Sequence, residues 1–148
     1  MMTNALSIQD TQHQLIEEFL HITDWDARYA HIIELGKALP KLDDALKTDD
    51  NIVRGCQSQV WMVSQYNDDN TITFQADSDA LIVRGLIAMI LRVYNGYTPD
   101  DILATPPEFL EKMELGKHIS MTRSNGLAAM IKQIQFYAMA YKAKAASS

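Results

Sequence analysis

Apolar residues recur at helical spacing along the N-terminal part of the chain, which predicts two helices. The first begins at Ser7, whose hydroxyl can accept a hydrogen bond from a free amide of the first turn. The second begins at Thr23 or Asp24 and ends or bends near Pro40. Residues 41–51 are largely polar, and we expect a solvated connection there with at most one helical turn.

The middle of the chain changes to a two-residue period, which is the pattern of a strand. Residues 71–76 alternate polar and apolar side chains, so one face of this strand should be buried. Residues 59–66 are its natural antiparallel partner, and 67–70 are turn-forming residues of hairpin length. Residues 51–54 are predicted to add a short third strand before a bend at Gly55.

A long apolar segment follows the predicted hairpin. Residues 80–94 carry only two charges, both arginine, so this predicted helix should be largely buried. Ser78 or Asp79 can cap its first turn.

The C-terminal third is predicted to be helical as well. Thr98-Pro99 and Thr105-Pro106 are start signals, because a capping hydroxyl precedes proline at the first helical position. Gly116 can end the second of these helices. The last helix is predicted from about Leu127, which leaves Arg123 in the loop before it. Helices packed on a small antiparallel sheet make an α+β domain.

Composition limits the class of protein. The length suits one domain over residues 1–148, with residues 1–6 expected to form a flexible N-terminus. The formal charge of −6 makes nucleic acid and anionic membranes poor partners. No apolar stretch approaches the roughly 20 residues of a membrane span, and the first residues lack the basic and apolar regions of a secretion signal. We therefore expect a cytoplasmic protein.

Cys56 is the only cysteine, which excludes an internal disulfide and a metal cage built from cysteines alone. It follows Gly55 at the bend before a predicted strand, and Arg54 can favour the thiolate, the reactive form of the side chain. The competing interpretation is a small buried thiol with a structural role only. No two of the four histidines are three or four residues apart, so the sequence contains no helical metal pair.

The segment around the cysteine, residues 53–61, resembles the signature of the SufE/CsdE family of sulfur acceptors. Three further segments match the family in the same order, namely residues 28–40, 77–86 and 123–127. The resemblance therefore extends over nearly the whole chain. One difference is Met121, where relatives usually have proline.

The resemblance implies a small three-stranded antiparallel sheet packed against several helices, SufE/IscU-like, with the cysteine on a loop beside the sheet. It also implies that Cys56 accepts persulfide sulfur from a cysteine desulfurase of the SufS/CsdA type, stimulates that enzyme and passes the sulfur to an iron–sulfur scaffold complex. Such a protein is a carrier rather than an enzyme. It needs no metal and no cofactor, since pyridoxal phosphate belongs to the desulfurase. The resemblance does not distinguish a SufE-type from a CsdE-type system. It also leaves open whether the protein is a monomer or a homodimer.

Four residues are candidates for supporting or partner-interface roles around the cysteine: Gly55, Ser58, Asp79 and Arg123. Asp79 is most simply a helix cap, and its functional alternative is a place on the desulfurase-facing surface. Arg123 is either a surface charge with little effect on stability or a partner contact near the Cys56 loop.

Two other functions are compatible with the sequence. A free-standing thiol enzyme would use His118 or another histidine as the base for Cys56, and it needs an imidazole within hydrogen-bond reach of the sulfur. An iron–sulfur scaffold needs about four ligands, mostly cysteine, so one cysteine would suffice only if chains paired and recruited other ligands.

Overall fold

A computed structural model describes residues 6–146 as seven α-helices, two strands and two short 3-10 helices. In chain order these elements are α1 (Ile8–Leu20), α2 (Trp25–Ala38), the 3-10 helices Asp44–Leu46 and Asp49–Asn51, β1 (Val60–Tyr66), β2 (Ile72–Ser78), α3 (Leu81–Tyr94), α4 (Pro99–Leu103), α5 (Glu108–Lys112), α6 (Leu115–His118) and α7 (Met121–Ala146). The predicted α+β class is confirmed. Residues 1–5 of the predicted flexible N-terminus lie outside the described residues, whereas the Leu6 carbonyl accepts a hydrogen bond from the Tyr97 hydroxyl at 3.0 Å.

The sheet has two strands among the described residues, β1 and β2, which pair antiparallel along their full length. The predicted third strand over residues 51–54 is wrong, because this segment contributes only an isolated bridge between Ile52 and Trp61. A 3-10 helix ends at Asn51, and Gly55 turns the chain with a φ of 94° that favours glycine. The segment between these two features is too short to form a ladder.

Three of the predicted helix starts are confirmed by their caps. The side chains of Ser7, Asp24 and Thr98 each accept a hydrogen bond from an amide of the following turn. The predicted cap of α3 by Ser78 or Asp79 is wrong, because the N-cap position is Ala80 and no side chain caps it. The Ser78 hydroxyl instead accepts a hydrogen bond from the Ala80 amide at 3.2 Å, just before the helix.

The C-terminal helices differ most from the prediction. Gly116 lies inside α6 and does not end a helix, and the break between α5 and α6 falls at Glu114, whose φ is 56°. Helix α7 begins at Met121, before the predicted start, and the Ser120 hydroxyl accepts a hydrogen bond from the Arg123 amide at 3.2 Å. Arg123 therefore lies in the first turn of a helix and not in a loop.

Helix α3 is at the centre of the core, as its composition predicts. Ten of its 14 residues are buried, and it contacts α1, α2, α7 and β2. Its contact with α2 is close because two glycines face each other. A Cβ on Gly85 would collide with the Ile32 carbonyl, and a Cβ on Gly36 would lie 2.7 Å from the Leu81 carbonyl oxygen.

A buried ion pair joins the end of β2 to α3 and to the segment after α2. The Asp77 carboxylate pairs with Arg84 and accepts hydrogen bonds from the amides of Leu42 at 3.0 Å and Ser78 at 2.8 Å. Arg84 also donates to the Gly36 carbonyl at 3.0 Å. Burial raises the pKa of Asp77, but the two amide hydrogen bonds and Arg84 together lower it below its ordinary value.

Candidate functional site

A cavity of about 320 Å³ lies between the loop that carries the cysteine, helix α3 and the first turns of α7. It is lined by Cys56, Gln57, Ser58, Val83, Leu86, Ser120, Thr122, Arg123, Gly126 and Met130. One part of the lining is apolar, from α3 and Met130, and another carries three hydroxyl groups and a guanidinium. The cavity therefore combines a nucleophile with groups that can hold a small anion.

Cys56 is half-buried at the edge of this cavity. Its thiol donates a hydrogen bond to the Gly126 carbonyl oxygen, with a sulfur–oxygen distance of 3.5 Å. Burial raises the pKa of the Cys56 thiol, which is opposite to the direction expected from the neighbouring Arg54. Burial and this hydrogen bond both favour the protonated thiol over the thiolate.

Two glycines let the Cys56 loop lie directly on α7. A Cβ on Gly126 would lie 3.4 Å from the Cys56 sulfur, and a Cβ on Gly55 would lie 3.2 Å from the Cβ of Ala129. Gly55 thus makes a turn and a close approach, and its supporting role at the site stays a prediction. Gly126 was not among the predicted site residues, although it lies in the segment 123–127 that resembles the SufE family.

Arg123 lies on the cavity wall, and its guanidinium donates a hydrogen bond to the Tyr29 hydroxyl at 3.1 Å. This contact joins the first turn of α7 to α2. Ser58, the other predicted supporting residue, also lines the cavity. The structure therefore brings Ser58 and Arg123 together with Cys56.

Asp79 is placed differently. It is exposed at the connection between β2 and α3, and it is not among the described residues that line the cavity. Its carboxylate accepts a hydrogen bond from the Ser78 hydroxyl at 3.5 Å. Asp79 thus belongs to the outer surface and not to the surroundings of the thiol.

Comparison with known proteins connects this geometry to a family. The model of the family described as "SufE: Fe-S metabolism associated domain" matches residues 13–138. The chain belongs to the SufE family. The family predicted from the sequence is thereby confirmed, and this SufE-family protein has a role in iron–sulfur metabolism.

The fold is also similar to a solved structure, the solution structure of a hypothetical protein from Thermus thermophilus. The TM-score is 0.74 at 17% sequence identity, and the match covers 90% of this chain and 96% of that chain. At this identity the similarity shows the fold alone.

The segments that resemble the SufE family have distinct places in the structure. Segments 53–61 and 123–127 meet at the Cys56 cavity, whereas segments 28–40 and 77–86 contain the close contact of α2 with α3 and the Asp77–Arg84 pair. Met121, the position where relatives usually have proline, is the first residue of α7. Proline is favoured at that position of a helix.

The described residues that line the cavity include no histidine. The ring of His118 stacks on the Trp25 indole with centroids 3.8 Å apart, and His31 forms a hydrogen bond with Glu18 at 2.9 Å. The cavity therefore offers the thiol no imidazole base within this part of the chain. Residues 6–146 also contain no group of three or more histidine, cysteine, aspartate or glutamate side chains that could hold a metal ion.

None of the helices in the described part of the chain has both the length and the apolar character needed to cross a bilayer.

Proposed function

We propose that this SufE-family protein accepts sulfur from the persulfide of a cysteine desulfurase onto Cys56 and passes it on for iron–sulfur cluster assembly. One observation carries the proposal: the only thiol of the chain lines a cavity formed by segments of the family-matched region. The protein is then a sulfur carrier and an activator of the desulfurase, and it forms a covalent persulfide without a cofactor of its own. Pyridoxal phosphate remains in the partner enzyme.

The transfer is a thiol exchange in which no external oxidant or reductant takes part. The Cys56 thiolate attacks the terminal sulfur of the desulfurase persulfide, the sulfur–sulfur bond of that persulfide breaks, and the desulfurase cysteine leaves as a thiolate. The proton of the Cys56 thiol is released before the attack. The product is a persulfide on Cys56, which a second thiolate on the scaffold complex can attack in the same way.

The surroundings of Cys56 support a carrier that is protected at rest. The hydrogen bond to Gly126 and the raised pKa favour the protonated thiol, and we infer that docking of the desulfurase exposes Cys56 further and favours its thiolate. After transfer, the cavity has room for the additional sulfur atom. Arg123 and the hydroxyl of Ser58 can stabilise the negative charge of the persulfide.

We place the desulfurase-facing surface around the opening of the Cys56 cavity, with Asp79 at its margin. Asp79 is exposed, and the neighbouring Leu81 is an exposed large apolar residue at 42%. A combination of this kind suits contact with a protein. The expected partners are a desulfurase of the SufS/CsdA type and an iron–sulfur scaffold complex in the cytoplasm, and neither nucleic acid nor a membrane.

The direct test is intact mass spectrometry after incubation with an active cysteine desulfurase and free cysteine. A mass gain of one or more sulfur atoms, removed by a reductant, is expected for the parent chain. The matched control is Cys56→Ser, which should fold normally and gain no sulfur. Normal sulfur acceptance by Cys56→Ser, or no gain by the parent chain with a cognate desulfurase, would disprove the proposal.

A further inference from the structure

His118 is exposed at the end of α6, yet its ring is held against α2. The imidazole stacks on the Trp25 indole with centroids 3.8 Å apart and an angle of 16° between the ring planes. An exposed side chain without such a contact samples several rotamers. The stack therefore fixes the position of the His118 ring and joins the end of α6 to the first residue of α2.

The Trp25 ring is itself held in place. Arg28 lies over it, with the guanidinium carbon 5.2 Å from the ring centroid, and the Arg28 Nε donates a hydrogen bond to the Ile22 carbonyl at 2.5 Å. The indole also packs against the hydrophobic core. Trp25 is thus a fixed surface on which the His118 ring can rest.

The stack lies directly before the wall of the Cys56 cavity. Ile119 is buried at the C-cap of α6, and Ser120 is the first residue of the wall. The Ser120 hydroxyl accepts a hydrogen bond from the Arg123 amide at 3.2 Å. Because a buried residue and a helix cap connect His118 to Arg123, the place of the imidazole affects the path of the backbone that carries the guanidinium.

Helix α2 contacts this segment at a second point. Trp25 and Tyr29 are four residues apart and therefore lie on one face of α2, and the Tyr29 hydroxyl accepts the hydrogen bond of Arg123 at 3.1 Å. That hydrogen bond holds the end of the arginine side chain. The stack with His118 holds the backbone from which the side chain projects.

We propose that the stack of His118 on Trp25 positions Arg123 at the Cys56 cavity, so that His118 is a positioning residue for sulfur acceptance. The role in sulfur acceptance rests on the proposed function, whereas the placement of the charge beside the thiol does not. Displacement of a charged group by about 1 Å is enough to slow a reaction that depends on it.

The first test uses alkylation of Cys56 and needs no desulfurase. A cation beside the sulfur favours the anionic reagent iodoacetate over the neutral iodoacetamide. The ratio of the two rates therefore reports the position of the Arg123 charge, and a change in the amount of thiolate cancels from it. His118→Ala and Arg123→Ala should each lower the ratio about threefold.

Two further variants separate positioning from other effects on the ratio. His118→Phe keeps an aromatic ring for the indole and should restore the parent ratio. His13→Ala, at an exposed position of α1 outside the cavity, should leave the ratio unchanged. An unchanged ratio in His118→Ala, or a ratio in His118→Phe as low as in His118→Ala, would overturn the proposal.

The second test is a double-variant cycle, with thermal unfolding to show that each chain is folded. If His118 acts through Arg123, adding His118→Ala to Arg123→Ala should lower neither the alkylation ratio nor the rate of sulfur acceptance any further. A full further loss in the double variant, or normal sulfur acceptance by His118→Ala alone, would refute the positioning role. A lowered alkylation ratio in His118→Ala, with no sulfur acceptance by the parent chain, would instead refute the proposed function and leave the placement of Arg123 by the stack supported.

Discussion

Two properties of Cys56 favour the protonated thiol over the thiolate. Burial raises its pKa, and its hydrogen bond to the Gly126 carbonyl engages the proton of the thiol form. Thiolates are the species that react with oxidants and alkylating reagents, so a buried thiol that keeps its proton is poorly reactive. If the protein is a sulfur carrier as proposed, this protection is useful, because Cys56 then reacts with the partner enzyme and not with the solution.

The reaction of Cys56 with alkylating reagents should therefore accelerate at a higher pH than that of an unfolded cysteine. The rate of alkylation by iodoacetamide should rise with pH, and its midpoint should lie above that of the same chain unfolded in denaturant, since the folded pKa is raised. Mass spectrometry of quenched samples gives both curves. A midpoint in the folded protein at or below the unfolded value would contradict the burial of the thiol.

Gly126 provides a test of what positions the Cys56 thiol. Alanine at this position would place its Cβ 3.4 Å from the Cys56 sulfur, at the short limit of van der Waals contact with this half-buried atom. We expect Gly126→Ala to displace the thiol and increase its alkylation rate at pH 7.

The matched control is Gly116→Ala, because a Cβ there meets nothing within 4 Å. This helical substitution should stabilise the protein by about 0.5 kcal/mol and leave alkylation of Cys56 unchanged. If Gly126→Ala behaves like Gly116→Ala in both alkylation and thermal unfolding, the glycine has no positioning role.

At the scale of elements, the buried pair of Asp77 and Arg84 fixes β2 and α3 to the segment after α2. Because the folded pKa of Asp77 is lowered, the pair contributes stability above the ordinary carboxyl value, and this contribution is lost as the pH falls through the folded pKa. The free energy of unfolding should therefore fall as the solution is acidified from pH 4.5 towards pH 2. Asp77→Asn should cost about 3 kcal/mol at pH 7, since it leaves Arg84 without a buried counter-charge.

Urea unfolding at several pH values checks both statements. The difference in stability between the parent and Asp77→Asn should be largest at neutral pH and shrink in acid. A difference that is constant with pH would mean that the carboxylate is not linked to folding.

Elements with strong local signals could be predicted from the sequence, and elements held by distant contacts could not. The hairpin and the caps at Ser7 and Thr98 follow from turn and capping chemistry, which acts over a few residues. The first turns of α7 contain Asn125 and Gly126, which favour helices poorly, so the pattern indicates a loop. In the structure this part of α7 packs on the Cys56 loop, and such contacts override local preference.

In the candidate site, too, features with a local signal could be predicted and features formed by distant contacts could not. Cys56 could be found because a single cysteine stands at a bend before a strand. The cavity could not, since its walls come from segments about seventy residues apart that meet only in the fold, as the hydrogen bond between Cys56 and Gly126 shows. Asp79 shows that a local rule can also give a wrong prediction. The capping rule assigned it to the start of α3, which it does not cap.

At the scale of the whole molecule, α3 separates two surfaces. The Cys56 cavity is lined by Val83 and Leu86, whereas a groove of about 620 Å³ beside β2 is lined by Leu91 and Arg92. The two have no lining residue in common, so the thiol opens to one of these surfaces and not to the other.

Arg123 links parts of the molecule that are far apart in sequence: it lies on α7, binds Tyr29 of α2 and lines the cavity of Cys56. If its charge stabilises the persulfide, Arg123→Ala should slow sulfur acceptance about tenfold or more at an unchanged melting temperature. Tyr29→Phe removes the hydroxyl partner and keeps the cation, so it should transfer sulfur at nearly the parent rate. Timed intact-mass measurements with the desulfurase, paired with thermal unfolding, distinguish the cases. Equal slowing in both variants, or slowing that follows only a lower melting temperature, would assign Arg123 to the joining of α7 and α2 and not to the sulfur chemistry.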